Sequence, residues 1–304
     1  MKEARRTGRG GSSSDVQRVD NIVRLPLIQR QYVLLYLPGY ILVLSTPFAL
    51  FLAAKHGRNM IISDAKVDTV TGGTLKWSSI RGPKVGSATT QPYAVWISPV
   101  ENQNTIAMGA GALRDAVACS DPTCNHNFKM EHNFEGNGSF RMTRVCMGDY
   151  GPAVCIDKHI PSFLGFLKAG FGPIYLCDYH AFNCCEEKMK KLGIKGKAAS
   201  NLSWAFRLVK RSASIAQAFE LRDELVEYTL LEVLVPEPLW SLEQAQLFLV
   251  YFDTCWMYPE YILRSWIDAD GLSQEDYVSS TGAAESSHAH WRKFLMNAVS
   301  LAFG

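Results

Sequence analysis

Short apolar runs bounded by glycine, proline and polar residues mark the first third of the chain. Four runs are rich in β-branched and aromatic residues, which is typical of buried strands: YVLLY at 32–36, YILVL at 40–44, NMIISD at 59–64 and TTQPYAVWISPV at 89–100. PFALFLAAKHG at 47–57 has a proline at its start and a glycine at its end, which predicts a short helix. We predict a strand-like region over 58–110, with turns at the glycine-rich stretches 71–73 and 109–112.

From residue 152 the pattern alternates between apolar runs and helical periodicity. PAVCID at 152–157 and PIYLC at 173–177 predict strands, and each is followed by a helical pattern, at 160–170 and 181–193. This alternation predicts a buried α/β sheet. Residues 198–268 and 282–303 have apolar positions at helical spacing. Residues 111–150 show neither period and predict irregular structure.

The composition is that of a globular protein. Of 304 residues, 47% are hydrophobic and 20% are charged, which excludes a disordered, collagen-like or coiled-coil chain and allows one large domain or two ordinary ones. The formal net charge of +2 neither requires nor excludes a nucleic-acid partner. Eight cysteines are too few for a disulfide scaffold, and MKEARRTGRGGSSSD lacks the apolar segment of a signal peptide. We therefore expect a reducing compartment and cysteines that are thiols or metal ligands.

An uncharged segment at 32–54 allows two interpretations. Its 23 residues are long enough to span a bilayer as a helix. However, Pro38, Gly39 and Pro47 divide it into short pieces that suit strands and a short helix better. The alternatives are a membrane anchor and a segment that packs against the sheet, and we expect the second.

Three acidic residues stand out by their context. Asp64 ends one predicted strand, Asp157 ends another, and Glu285 lies in the first turn of the last predicted helix. Acids at the carboxyl ends of buried strands lie where α/β sheets usually carry their sites. Three such acids suit two Mg²⁺ ions, which clamp the attacking and leaving oxygens of a phosphodiester. The alternative is that each acid is an ordinary turn or helix-cap residue.

Basic residues are concentrated between the α/β region and the helical region. From residue 188 to residue 211 there is no acid, and aromatic residues lie among the basic ones. Such a stretch suits a nucleic-acid backbone, although a solvated helix face has the same composition. The candidate DNA contacts are Lys188, Lys190, Lys191, Lys195, Lys197, Lys210 and Arg211.

The block VCIDKHIPSFLGFLKAGFGPIYLCDYHAFNCCEEKM resembles the core of Mutator-like (MULE) transposases. In that family the second catalytic Asp ends a strand, a helix follows, and the next strand ends in a Cys-x-x-His signature before a basic helix. Asp157 matches that Asp, and Cys177 and His180 match the signature. HGRNMIISDAKVDTVTGG is similar to the first catalytic strand, and STGAAESSHAHWRKFL is similar to the third motif, which opens a helix.

The resemblance implies a ribonuclease H-like α/β fold with an all-α insertion before the last catalytic helix. It implies the first part of the core at 21–197, the insertion at 198–270 and the catalytic helix at 271–304, whereas the Arg-, Gly- and Ser-rich composition of residues 1–20 predicts a flexible basic tail. It also implies a DDE-type transposase that holds two Mg²⁺ or Mn²⁺ ions on Asp64, Asp157 and Glu285. The expected partner is double-stranded DNA, the expected form a homo-oligomer, and the expected compartment the nucleus.

Other residues keep alternatives open. The zinc modules of many family members have no match in this sequence, so a catalytically inactive, domesticated DNA-binding protein is the alternative function. Cys119, Cys124, His126 and His132 are spaced C-x4-C-x-H-x5-H, which is not a regular zinc-finger spacing, and we do not expect zinc. By the resemblance Trp256 could stack on a DNA base, and Trp266 likewise, but the favoured alternative for both is a core tryptophan at a helix–helix contact.

Overall fold

The structure is a computed structural model. It describes residues 32–66, 76–83, 90–133, 138–146 and 148–267, except for the side chains of residues 65, 66, 132 and 133. Its described part divides into two compact units, the first ending at Ile174 and the second beginning at Tyr175. Glu285 and the two terminal segments of the sequence-based domain division, 1–20 and 271–304, lie outside the described residues.

The described strands form one mixed sheet. Its strands are β1 (Val33–Leu37), β2 (Ile41–Leu44), β3 (Met60–Lys66), β4 (Lys76–Pro83), β5 (Thr90–Ser98), β6 (Phe128–Asn133), β7 (Ser139–Arg144), β8 (Ala153–Ile156) and β9 (Ile174–Leu176). They lie in the order β6-β7-β1-β2-β5-β4-β3-β8-β9. This establishes a mixed α/β protein with a nine-stranded sheet.

Strand direction decides which strand ends meet. β3 pairs with β4 and β4 with β5, both antiparallel, whereas β3 and β8 are parallel. Two antiparallel steps restore the direction, so β3, β5 and β8 all run the same way. The carboxyl ends of these three strands therefore lie at one edge of the sheet.

Three helices accompany the strands of the first unit: α1 (Pro47–His56), α2 (Gln103–Ala116) and α3 (Ile160–Lys168). As the sequence predicts, α1 has a proline in its first turn and is followed by Gly57. The hydroxyl of Thr46 accepts a hydrogen bond from the backbone N–H of Ala49, which satisfies one N–H at the start of the helix. Gly165 of α3 faces Ile106 of α2 so closely that a Cβ there would lie 2.8 Å from the Cβ of Ile106, and the two helices pack against each other at this glycine.

The strand and helix predictions are confirmed in most places and wrong in two. All six predicted strands form, and so do the helices predicted after β8 and β9. The turn expected at 109–112 is instead part of α2, and the region expected to be irregular contains the end of α2 and the β6–β7 hairpin. The glycine and alanine residues at 109–112 obscured the helical pattern of α2. Within this helix, Gly109 allows the backbone to approach the ring of Trp96.

The second unit is helical, as predicted for its sequence. Its helices are α4 (Asp178–Lys191), α5 (Gly196–Lys210), α6 (Ile215–Leu231), α7 (Leu242–Phe252) and α8 (Glu260–Trp266), with a 3₁₀ turn at Glu232–Leu234 and a π-helical segment at Asp253–Met257. Its core is aromatic: the ring of Phe206 stacks on Trp266 at 4.7 Å between centroids and meets Trp256 edge-on at 5.3 Å.

The uncharged segment 32–54 forms β1, β2 and most of α1. Leu34 and Leu42 are completely buried in the sheet. Within the described residues, no helix combines the length and the apolar character needed to cross a membrane.

Candidate active site and basic groove

Asp64 lies within β3, which corresponds to the strand predicted at 59–64. The strand continues to Lys66, so the prediction that Asp64 ends the strand is wrong by two residues. Asp64 pairs with Ser79 of β4, and only 8% of its surface is exposed. A carboxylate this well buried within a paired strand is held in a defined position.

Asp157 directly follows β8 and is half-buried. Because β8 runs parallel to β3, with Cys155 opposite Ile62, the two aspartates emerge at the same edge of the sheet. Both line one cavity of about 280 Å³. Parallel pairing thus brings together two predicted site residues that lie 93 positions apart in the sequence.

A third carboxylate in this cavity was missed by the sequence analysis. Glu101 follows β5, whose carboxyl end lies at the same edge, and its side chain is only 14% exposed. The imidazole Nδ1 of His159, also in the lining, lies 3.8 Å from the Glu101 carboxylate. The rule that identified Asp157, an acid following a buried strand, applies to Glu101 as well and could have found it.

A buried cation lies near Asp64. Arg81 of β4 is 2% exposed, and its guanidinium donates hydrogen bonds to the Thr90 hydroxyl at 3.0 Å and the Thr90 carbonyl at 2.9 Å. Burial lowers the pKa of Arg81 to about 10, and the negative charge of Asp64 opposes this lowering. Arg81 is therefore protonated at neutral pH, and its charge favours the ionised form of Asp64.

The donor set of this cavity suits hard divalent cations, because Mg²⁺ and Mn²⁺ take carboxylate oxygens. Among the described residues, the oxygens of Asp64, Glu101 and Asp157 do not form a group of three that all lie within 4.8 Å of one another. The predicted third ligand, Glu285, is outside the described part of the chain. Among the described residues, the two aspartates thus share a cavity without completing a group of three ligands.

The Cys-x-x-His signature lies at the start of α4 in the second unit. Cys177 is 1% exposed and precedes the first helical residue. His180 is half-buried in the first turn, where its ring meets that of Tyr179 edge-on at 5.4 Å. The signature therefore marks a strand-to-helix junction, as predicted.

A second cavity, which we call the basic groove, lies entirely within the second unit. It has a volume of about 620 Å³ and lies between the second half of α4 and α5. Its lining includes Lys190, Lys195, Gly196, Trp204 and Arg207. The indole of Trp204 is 64% exposed, so an aromatic face and several cations share one open surface.

The predicted DNA contacts divide between this groove, other surfaces and the core. Lys190 and Lys195 line the groove. Lys191, Lys197 and Arg211 are exposed, and the half-buried Lys188 places its ammonium 5.4 Å from the ring centre of Tyr251.

Two of the predicted DNA contacts are corrected by burial. Lys210 is 6% exposed, and its Nζ lies 3.5 Å from the Asp178 carboxylate. Trp256 has no exposed surface and packs edge-on against Trp266. Neither side chain can reach a DNA strand in this arrangement, and the exposed aromatic residue of the stretch is Trp204.

No protein-family model and no curated protein matches this chain. Its function is therefore argued from the motifs in its sequence and from the geometry of its two cavities.

Proposed function

We propose that this chain is the catalytic core of a DDE-type DNA transposase related to the Mutator-like family, which cleaves and joins DNA phosphodiester bonds with Mg²⁺ or Mn²⁺. One observation carries the proposal. Asp64 and Asp157, which the motifs single out independently, lie on neighbouring parallel strands and line the same cavity.

The strand arrangement around that cavity supports a ribonuclease H-like core. Five neighbouring strands, in the order β5-β4-β3-β8-β9, contain both aspartates. The first acid is on the central strand, the second follows the adjacent parallel strand, and α3 follows the second acid. This is the order of elements that the resemblance implies.

Asp64 and Asp157, with Glu285 by the resemblance, would hold the two ions. Bound there, such ions activate a water or a 3′-hydroxyl and stabilise the leaving oxygen. The chain itself supplies the two carboxylates at one edge of the sheet, and the positive charge of Arg81 attracts the Asp64 carboxylate. The contribution of the protein is positioning and charge, and no covalent enzyme intermediate is needed.

The basic groove supports DNA as the partner. Lys190, Lys195 and Arg207 supply cations for phosphates, and Gly196 opens α5, whose first N–H groups favour anions. Trp204 offers a face on which a base can stack. A homo-oligomer acting in the nucleus is a further implication of the resemblance and stays a prediction.

The test is nicking of supercoiled plasmid DNA by the full chain with Mg²⁺ or Mn²⁺. We expect Asp157→Asn to lower the rate at least about 100-fold, in the range found when one contributor to transition-state charge stabilisation is lost. Glu131→Gln removes an exposed acid of β6 and is the matched control. Metal-dependent nicking that persists in Asp157→Asn contradicts the proposal.

The third acid can be identified in the same assay. The transposase interpretation requires Glu285→Gln to be as inactive as Asp157→Asn. Glu101→Gln is the informative comparison, because Glu101 lines the cavity but has no counterpart in the family motifs. Loss of activity in Glu101→Gln alone would place the third acid after β5 and would contradict the family assignment.

A catalytically inactive DNA-binding protein is the second candidate. The basic groove favours it, since this surface is formed within the second unit without any of the proposed catalytic acids. Wild-type protein that binds DNA but neither nicks it nor binds Mn²⁺ at the aspartates would support this alternative.

A further inference from the structure

Four metal-ligating side chains from two chain segments meet at one end of the β6–β7 hairpin. Cys119, Cys124 and His126 lie on the loop between α2 and β6, and Cys146 follows β7. One ligand atom of each lies within 4.8 Å of the ligand atom of every other. All four residues are half-buried. We call this group the Cys₃His cluster.

The distances within the cluster are those of a tetrahedral zinc site. The Nδ1 atom of His126 lies 3.5 Å from the Sγ atom of Cys119 and 3.7 Å from that of Cys146. Zn–S bonds of about 2.3 Å and Zn–N bonds of about 2.0 Å at a tetrahedral angle place sulfur and nitrogen about 3.5 Å apart. A metal ion at the centre therefore needs little movement of these ligands.

The ligand types select the metal. Three thiolates and one imidazole are soft or borderline donors, whereas Mg²⁺ and Mn²⁺ prefer oxygen. Four protein ligands fill a tetrahedral shell, which is characteristic of structural rather than catalytic zinc. Iron–sulfur clusters usually take four cysteines, or pair two histidines on one iron, and neither set matches. All eight cysteines are described, and none of them forms a disulfide that would compete for these sulfurs.

The backbone around the cluster is held in place for metal binding. His126 has a positive φ of 52°, which few non-glycine residues adopt, and its backbone N–H lies 3.4 Å from the Cys124 sulfur. Arg144 donates to the carbonyl of His126 at 2.7 Å and to that of Ala116 at 2.6 Å. These contacts fix the loop to the last residue of β7.

The charge of Arg144 also suits an anionic site. Three thiolates and one Zn²⁺ leave a net charge of −1, which a neighbouring guanidinium balances.

We propose that the Cys₃His cluster binds one structural Zn²⁺. The ion joins the α2–β6 loop to the end of β7 and thereby closes the base of the hairpin. Each thiol releases its proton on binding, so the site loses affinity at low pH. This proposal is independent of the transposase assignment and revises the expectation that zinc is not used.

The fourth ligand could not be read from the spacing. The sequence places His132 six residues after His126, but its side chain lies outside the described part. Instead, β7 pairs antiparallel with β6, so the end of β7 lies beside the start of β6. There the N–H of Val145 donates to the carbonyl of Asn127 at 2.8 Å. That return places Cys146 beside the cluster.

The test is the metal content of the full chain, purified without a histidine tag and under reducing conditions. We expect one zinc per chain in the wild type and in Cys184→Ser, which removes an exposed cysteine outside the cluster. Cys146→Ser should lose the metal, and Cys146→His, which keeps a fourth ligand, should retain it. Replacement by Co²⁺ should give the visible bands of a tetrahedral thiolate complex.

A wild-type protein that contains no zinc and gives no Co²⁺ thiolate bands overturns the proposal. Zinc retained at full occupancy in both Cys146→Ser and Cys124→Ser also overturns it, because the ion is then bound elsewhere. If both variants fail to fold, an organomercurial titration of the wild type decides the matter. Zinc must be released as the thiols of the cluster are modified, and release before any of them reacts contradicts the assignment.

Discussion

Cys184 and Cys185 are neighbours on α4, but they lie in different environments. Cys184 is exposed, whereas Cys185 is 2% exposed and lies in the apolar interior of the second unit. Burial raises the pKa of Cys185 to about 12, and the nearby Glu186 and Cys184 raise it further. A thiol with that pKa is protonated at any physiological pH.

We predict that iodoacetamide at pH 8 alkylates Cys184 and spares Cys185 in the folded protein. The thiolate is the nucleophile. With a pKa of about 12, only about one Cys185 thiol in ten thousand is ionised at pH 8. Peptide mass spectrometry of the labelled chain measures both sites, with a urea-denatured sample as the control for reactivity. Equal labelling of the two cysteines without denaturant would show that Cys185 is accessible.

Among the elements, α2 shows how a small residue controls helix packing. A Cβ built on Gly109 would lie 2.5 Å from the Trp96 ring, which is 1% exposed and also lines the cavity of the candidate active site. Gly111 lies two residues later on the same helix, and a Cβ built there would have no heavy atom within 4 Å. Alanine substitutions at these two glycines therefore test helix propensity and side-chain packing separately.

We predict opposite effects of alanine at these two positions. Gly111→Ala should raise the free energy of unfolding by up to about 1 kcal/mol, because alanine favours the helix. Gly109→Ala should lower it by about 1–3 kcal/mol, since the displaced indole costs more than the gain in propensity. Urea denaturation gives both values. An increase in Gly109→Ala would mean that the ring moves aside without cost.

In the molecule as a whole, the proposed catalytic aspartates and the basic groove belong to different compact units. Asp64 and Asp157 lie in the first unit, and Lys195 and Trp204 lie in the second. DNA binding and phosphodiester cleavage should therefore be separable by mutation.

We predict that Lys195→Ala weakens DNA binding and that Asp157→Asn leaves it unchanged. Each lost phosphate contact should reduce the slope of log affinity against log salt by about 0.9. Trp204→Ala should weaken binding of single strands by about 1–3 kcal/mol per stacked base. Fluorescence anisotropy over a salt series measures these effects, with Glu237→Gln, an exposed position of the second unit, as the control. Unchanged binding in both groove variants would place the DNA contacts elsewhere.

Element identity was largely predictable from the sequence because local rules govern it. The strands around Asp64 and Asp157 have apolar, β-branched runs, and α1 has a proline at its start and a glycine at its end. The glycines of α2 hid a helix: Gly109 admits the ring of Trp96, Gly111 has open space beside it, and neither forms a turn. Periodicity detects apolar faces, but it does not detect close packing at a glycine.

The sequence by itself determined the mixed α/β character, the association of Asp64 and Asp157 with two buried strands and the helical second half, because side-chain periodicity is a local property. Only the tertiary structure showed that Glu101 and the two aspartates share a cavity, that Lys210 and Trp256 are buried, and that Cys146 completes the Cys₃His cluster. Each of these facts depends on which distant segments pair and in which direction, and that is set by the packing of the whole sheet or helical core.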